Sequence, residues 1–134
     1  MESMPKISML LVEDEKMNRD LYAFILTKKF PEIVLHTAIN GRMGLGLFKT
    51  HTPDIVITDI NMPEMGGVQM IQEIHAIRPD TKFIVLSGTS GKPDLRESTQ
   101  NGFEIDHYIV KPVVFQELFA AIEQCLGEIA QNQL

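Results

Sequence analysis

The sequence predicts an α/β fold of three layers, in which a parallel five-stranded sheet lies between two layers of helices. Three observations predict it. The chain has 134 residues, enough for one domain with a proper core and too few for two. Short apolar runs recur five times along the chain, and segments with helical periodicity separate them. We therefore expect one domain over residues 1–134, with its core at about residues 5–130.

The apolar runs have the length of β-strands, and most of them are continuous rather than alternating. They occupy residues 7–12, 33–37, 55–58, 83–86 and 105–110. Continuous runs are typical of parallel strands that are covered on both faces. The second run is more polar because it contains His36 and Thr37, so we expect it at an edge of the sheet.

Between the strands, apolar residues recur with the period of an α-helix. The expected buried faces are, in the first helix, Met17, Leu21, Phe24 and Ile25 with Lys28 at the rim; in the third, Met70, Ile71, Ile74 and Ile77; and in the last, Phe115, Leu118, Phe119, Ile122, Cys125, Leu126 and Ile129. Asn18 and Arg19, near the start of the first helix, are expected to face solvent.

Two further helices have weaker sequence signals. The second, at residues 43–50, is interrupted by Gly44 and Gly46, which are poor helix formers. The fourth, within residues 91–102, has only Leu95 as a strongly apolar residue. Both are still expected, since every pair of parallel strands needs a crossover connection.

Composition and charge exclude several classes of protein. The formal net charge is −6, which argues against direct binding to nucleic acid or to an anionic membrane surface. No apolar run approaches the roughly 20 residues that a transmembrane helix needs. The single cysteine, Cys125, excludes an internal disulfide and fits a reducing compartment. We expect a cytoplasmic protein.

Polar residues stand at the carboxyl ends of four of the expected strands. Glu13 and Asp14 follow the first strand, Asp59 the third, Ser87 the fourth and Lys111 the fifth. In a flavodoxin-like sheet of order 2-1-3-4-5, the first and third strands are neighbours at the point where the strand order reverses. The three carboxylates should therefore meet at one edge, flanked by a hydroxyl and an ammonium group.

Carboxylates crowded in this way repel one another, and a hard divalent cation would relieve the repulsion. Oxygen ligands without cysteine or paired histidines favour Mg²⁺, with Mn²⁺ as a possible substitute. A carboxylate beside such an ion can act as a nucleophile towards a phosphoryl group. Asp59 is then the expected phosphate acceptor, with Lys111 neutralising the phosphoryl oxygens and Ser87 placed to hydrogen-bond them.

Four segments, "LLVEDE", "DIVITDINMPEMGG", "FIVLSG" and "YIVKP", together resemble the receiver domain of two-component response regulators, the CheY-like superfamily. The resemblance covers roughly residues 5–130. It implies that Asp59 accepts a phosphoryl group from a sensor histidine kinase or a histidine phosphotransfer protein. It also implies a phosphorylation-activated signalling switch that catalyses only its own phosphotransfer and autodephosphorylation, and is otherwise not an enzyme.

The resemblance further implies how the metal is held. Glu13 and Asp14 would support Mg²⁺, with Asp14 and Asp59 as direct carboxylate ligands. Asn61 would contribute its backbone carbonyl.

Ser87 and Tyr108 resemble the switch pair of the family, in which the hydroxyl moves to the phosphate and the ring turns inward. Lys111 precedes Pro112, which resembles the family's cis Lys-Pro bond. The surface expected to change for a downstream protein partner comprises the fourth helix, the fifth strand and the last helix. Five residues separate Gly102 from Tyr108, about two more than the family leads us to expect, and Gly88 stands where alanine is common.

Three alternative functions remain open on sequence grounds. The chain could be the receiver module of a hybrid histidine kinase or of a larger response regulator. An aspartyl-phosphate phosphatase would also start from a strand-end aspartate, but the tripeptide Asp59-Ile60-Asn61 lacks its second acid. A flavin- or nucleotide-binding module would want a phosphate loop after the first strand, where Glu13, Asp14 and Glu15 would repel phosphate.

Overall fold

The computed structural model describes residues 6–88 and 105–132. Its elements follow one another as alternating strands and helices. They are β1 (Ser8–Val12), α1 (Lys16–Lys29), β2 (Val34–Ala38), α2 (Gly41–His51), β3 (Ile55–Asp59), α3 (Gly67–Ile77), β4 (Lys82–Ser87), β5 (His107–Val110) and α4 (Phe115–Asn132). The fourth helix predicted from the sequence lies outside the described residues, as do residues 102–104. The label α4 here therefore denotes the last helix.

The strands form one sheet in the order β2-β1-β3-β4-β5, with every neighbouring pair parallel. This is the flavodoxin-like α/β architecture predicted from the sequence, and the prediction is confirmed. The more polar second strand lies at one edge, as expected, and β5 lies at the other. The strand order reverses between β1 and β3, so the carboxyl ends of these two strands lie side by side.

Each face of the sheet has its own hydrophobic core, because alternate residues of a strand point to opposite faces. Met9 and Leu11 of β1 pack with α1 and α4, whereas Leu10 and Val12 pack with α2 and α3. The apolar stripe predicted for the last helix is confirmed: Leu118, Ile122 and Cys125 are buried, and the other members are partly buried against the same core. Cys125 is fully buried, which raises the pKa of its thiol to about 12.

The predicted buried face of the first helix is wrong. Tyr22 and Leu26 are the buried residues of α1, while Met17, Leu21 and Phe24 are exposed, Met17 to 85%. In α3 the prediction is confirmed for Met70, Ile71 and Ile74, which are buried, but Ile77 is half exposed.

Of the two glycines that weaken the helix signal of α2, Gly44 is explained by close packing. A Cβ atom there would lie 2.7 Å from Met70 Sδ and 2.9 Å from Val12 Cγ2. Glycine at this position lets α2 approach β1 and α3 closely. Among the residues that the structure describes, no helix is long and apolar enough to cross a membrane.

Candidate phosphoacceptor and metal site

The carboxyl ends of three strands bring the site together. Asp59 is the last residue of β3, Glu13 and Asp14 directly follow β1, and Lys111 directly follows β5. The parallel register pairs Val12 with Thr58, so the acidic residues that follow them lie next to each other across the sheet edge. The arrangement is a direct consequence of strand order and register.

The three carboxylates form a compact group. Glu13, Asp14 and Asp59 each offer an oxygen, and these oxygens lie within 4.8 Å of one another. Glu13 is buried, Asp59 is half-buried and Asp14 is exposed, so the group opens to solvent on one side. The donor set is all oxygen, and it therefore fits a hard cation such as Mg²⁺ or Mn²⁺.

Lys111 lies between two of these carboxylates. Its Nζ donates to Asp59 Oδ2 at 2.8 Å and to Glu13 Oε1 at 3.4 Å. Burial would lower the pKa of the ammonium group, but the hydrogen bond and charge of Asp59, together with the charge of Glu13, outweigh this and raise it. Lys111 is therefore held in its charged form at the point where the carboxylates meet.

Glu13 is fully buried, and its carboxylate makes two kinds of contact. Oε1 accepts from Lys111, while Oε2 accepts from the backbone N–H of Glu15 at 3.0 Å. Burial raises the pKa of Glu13, and the hydrogen bond from Glu15 and the charge of Lys111 oppose that rise. The ion pair with Lys111 and the backbone hydrogen bond offset part of the cost of burying this charge.

Asp59 is anchored through both its side chain and its backbone. Its Oδ1 accepts from the N–H of Ile60 at 2.9 Å, and its carbonyl oxygen accepts from the Thr58 hydroxyl at 2.8 Å. The first residue of α3, Gly67, packs directly on this backbone and donates its N–H to Ile60 O at 2.7 Å. Both carboxylate oxygens are thus oriented by donors.

The remaining predicted residues lie at or near the same edge of the sheet. Ser87 ends β4 and is buried, and its carbonyl accepts from the N–H of Lys111 at 2.7 Å. The Lys111–Pro112 peptide bond is cis, as the resemblance implies. Asn61 is exposed in the loop after β3. Tyr108 lies further back on β5, beside Val85 of β4, and is 40% exposed.

Sequence reasoning missed Arg19. Instead of facing solvent, this residue and Asn18 are partly buried. The Arg19 guanidinium donates through Nη1 to the backbone carbonyl of Glu13 at 2.9 Å, with a longer contact to that of Asp14 at 3.5 Å. The available signal was spacing, because an arginine in the first turn of a helix is long enough to reach the loop that precedes it.

Comparison with known proteins identifies the class to which this fold and site belong. The family model described as "Response regulator receiver domain" matches residues 9–123, and the chain belongs to this family. Receiver domains of response regulators are signalling modules, consistent with phosphorylation-activated signalling.

Individual relatives agree with this assignment. The chain is 32% identical to the chemotaxis protein CheY of Bacillus subtilis, over 88% of this chain and 96% of CheY. It is 38% identical to CheY of Thermotoga maritima, over 77% of this chain and 83% of that protein. A CheY-like receiver domain protein from Methanospirillum hungatei superimposes with a TM-score of 0.85, at 26% identity, over 96% of this chain and 99% of that one.

Other relatives are longer proteins. The chain spans 34% of the transcriptional regulatory protein YesN and 50% of the probable C4-dicarboxylate response regulator DctR, both from Bacillus subtilis, at 30% and 34% identity. In these cases the similarity concerns only a part of the relative.

Proposed function

We propose that this chain is a phosphorylation-activated switch in which Asp59 accepts a phosphoryl group from a phosphohistidine. The donor is a sensor histidine kinase or a histidine phosphotransfer protein. The observation that carries the proposal is the position of Asp59, a half-buried carboxylate at the end of a buried strand, hydrogen-bonded by Lys111 at 2.8 Å and grouped with two further acids.

The reaction follows from these contacts. An Asp59 carboxylate oxygen attacks the phosphorus atom, the bond between phosphorus and the donor imidazole nitrogen breaks, and its electron pair stays on the imidazole. The product is an acyl phosphate on Asp59. Lys111 neutralises the negative charge of the incoming phosphoryl oxygens, because its Nζ already lies beside the attacking carboxylate. Water then attacks the phosphorus atom of the acyl phosphate, the bond to the Asp59 oxygen breaks, and inorganic phosphate leaves, which returns the free carboxylate and resets the switch.

Glu13, Asp14, Asp59 and the backbone carbonyl of Asn61 would hold Mg²⁺, or Mn²⁺ in its place. When bound, the ion supplies positive charge that balances the phosphoryl oxygens. Glu13 is buried and lies on the inner side of the site, while Asp14 is exposed and lies on the side that is open to solvent. The mutual repulsion of these carboxylates supports a role in cation binding, since the ammonium group of Lys111 is a single charge among three acids.

The output of the switch is a change of surface. In this proposal the Ser87 hydroxyl binds the new phosphoryl group, and the exposed Tyr108 ring turns inward. The surface around β5 and α4 then differs between the two states and is recognised by a downstream protein. Residues 1–134 act as one receiver unit, either by themselves or as a module of a larger regulator or hybrid kinase.

The proposal is tested by phosphorylation with radiolabelled acetyl phosphate, a small donor that needs no docking surface. The wild-type chain should take up label that requires Mg²⁺ and is released by hydroxylamine, as an acyl phosphate is. Asp59→Asn should abolish this label. Asp20→Asn is the matched control, because Asp20 is an exposed aspartate of α1 paired with Lys16 outside the site, and it should be labelled like the wild type.

Peptide mapping by mass spectrometry assigns the label to a residue. A wild-type label on any residue other than Asp59, or an undiminished label on Asp59→Asn, would contradict the proposal. Continuous turnover of p-nitrophenyl phosphate would instead favour the phosphatase alternative.

A further inference from the structure

The segment that carries two of the three acids is bound by a side chain from the helix that follows it. The backbone N–H of Arg19 donates to Glu15 O at 2.8 Å, which closes the first turn of α1. The side chain of the same residue reaches back past this turn to the carbonyls of Glu13 and Asp14. One residue therefore ties the helix to the backbone of both acids.

Other hydrogen bonds also hold the same segment. The N–H of Glu13 donates to Ala38 O of β2 at 3.1 Å, and the Glu13 carboxylate accepts from the N–H of Glu15. These contacts fix the Glu13 N–H and its side chain. The Arg19 side chain instead binds the carbonyl groups of Glu13 and Asp14. The orientation of these peptide groups determines where the Asp14 carboxylate lies.

We propose that Arg19 is a positioning residue that pre-organises the Glu13–Asp14 backbone for binding of a divalent cation. The inference rests on the metal site of the proposed function and adds a residue to it. Arg19 carries positive charge and cannot be a metal ligand itself, so its effect passes through the carbonyl groups that it holds. Residues that orient metal ligands in this way commonly change metal affinity by 10- to 100-fold, roughly, when they are replaced.

The sign of the effect separates positioning from electrostatics. A guanidinium group beside a cation site repels the cation, so removing its charge would strengthen metal binding if charge alone mattered. Loss of the carbonyl contacts releases the segment, and binding must then order it again, which weakens metal binding. The two explanations predict opposite changes.

The experiment measures Mn²⁺ binding from the electron paramagnetic resonance signal of free Mn²⁺, for the wild type, Arg19→Met and Lys16→Met. Lys16 is the matched control because it lies in the same helical turn and its variant loses the same charge, but Lys16 pairs with the exposed Asp20. Arg19→Met should raise the Kd for Mn²⁺ about tenfold. Lys16→Met should leave it unchanged or slightly lower it.

A second readout excludes a general loss of stability. The half-saturating Mg²⁺ concentration for acetyl phosphate labelling should rise in Arg19→Met, while the rate at saturating Mg²⁺ stays near that of the wild type. Arg19→Lys, which keeps the charge and one donor group, should recover part of the affinity. Thermal unfolding in EDTA verifies that each variant is folded. If Arg19→Met does not fold, the Mn²⁺ affinity of Arg19→Lys is compared with that of the wild type instead.

The outcomes separate this assignment from the proposed function. Wild-type Mn²⁺ affinity, or tighter binding, in folded Arg19→Met and Arg19→Lys would overturn the role of Arg19 alone. A wild-type chain that binds no Mn²⁺ would overturn the proposed metal site and this role together. Weaker binding in Arg19→Met with normal binding in Lys16→Met supports both.

Discussion

Besides its hydrogen bond from Lys111, Asp59 is constrained by an uncharged residue, Gly67, that packs against its backbone. The start of α3 lies against its backbone so closely that a Cβ atom on Gly67 would be 2.2 Å from Asp59 O and 3.1 Å from Ile60 Cα. Real Cβ atoms essentially never lie within 3.0 Å of such an atom, so only glycine lets α3 approach Asp59 this closely. The position of Asp59, the proposed phosphoacceptor, therefore depends on a residue that carries no functional group.

We predict that Gly67→Ala moves Asp59 relative to Lys111 and slows labelling by acetyl phosphate. Overpacking of this kind typically costs about 1–3 kcal/mol in free energy of unfolding. The reason is steric, because the added methyl group meets backbone atoms that cannot rotate away. Labelling rates at saturating Mg²⁺ and unfolding in urea measure the two effects.

Gly46→Ala is the control for this prediction. A Cβ atom at Gly46 meets nothing within 4 Å, so alanine there should leave labelling unchanged. It should stabilise α2 by about 0.5–1 kcal/mol, since alanine favours the helix. Equal labelling rates for both glycine variants would show that the close approach at Gly67 does not position Asp59.

For single residues, the sequence predicted the positions of Asp59 and Lys111 because the ends of the strands can be located from the apolar runs. Once a parallel sheet of known order is inferred, residues at the carboxyl ends of neighbouring strands are expected to meet, and the register of β1 and β3 brings Glu13, Asp14 and Asp59 together. Arg19 could not be inferred in this way. Its partners are backbone carbonyls, and these look the same at every position of a sequence.

Among the elements, α1 shows where periodicity fails. Residues 21–26 are all apolar or aromatic, so they cover more than a full turn of the helix and no single face is selected. The buried face is chosen by its neighbours, since Tyr22 packs edge-on against Phe115 of α4 and Leu26 lies in the same core as β1. The last helix was predicted correctly because its apolar residues form one stripe with polar residues opposite.

The proposed switch changes the surroundings of one residue of β5, Tyr108, and this change can be measured by fluorescence. Tyr108 is one of two tyrosines in a chain without tryptophan, and the other, Tyr22, is buried. In a Tyr22→Phe background, the fluorescence of Tyr108 therefore reports on β5 alone. Phenylalanine at position 22 keeps the ring that packs on Phe115.

We predict that beryllofluoride with Mg²⁺, which imitates the phosphoryl group, protects Tyr108 from quenching by acrylamide. The ring is 40% exposed, and the proposed inward turn would remove much of this exposure. Adding Asp59→Asn to the same background should eliminate the protection. If fluorine NMR shows bound beryllofluoride while quenching stays unchanged, Tyr108 does not turn inward on activation.

At the scale of the whole molecule, the fold was predictable because strand length, crossover connections and strand-end polarity all indicated the same parallel sheet. The contacts between individual elements were less predictable than the fold. At the edge strand β2, the His36 ring stacks on that of His51, at the end of α2, with ring centroids 4.1 Å apart and planes inclined by 15°. Fifteen positions separate the two histidines along the chain, so no local sequence pattern indicates this contact.

This stack should make the global stability of the protein depend on pH. Burial lowers the pKa of His36, and the nearby His51 lowers it further. The unfolded chain, in which the pKa of His36 returns to about 6.5, then binds the proton more readily than the folded one. The contribution of His36 to stability is therefore fully present above about pH 6.5 and is lost as the pH falls towards its lower folded pKa.

We predict that His36→Phe, which keeps a ring for stacking but cannot be protonated, loses less stability than the wild type between about pH 7.5 and 5. Urea unfolding at several pH values gives the slope of the unfolding free energy. His107→Phe is the matched control, because it makes the same replacement on β5, the opposite edge strand of the sheet. Both variants keep all the carboxylates of the wild type, so a slope that changes in His36→Phe but not in His107→Phe is assigned to His36. Parallel slopes for His36→Phe and the wild type would mean that the stacked pair does not couple protonation to folding.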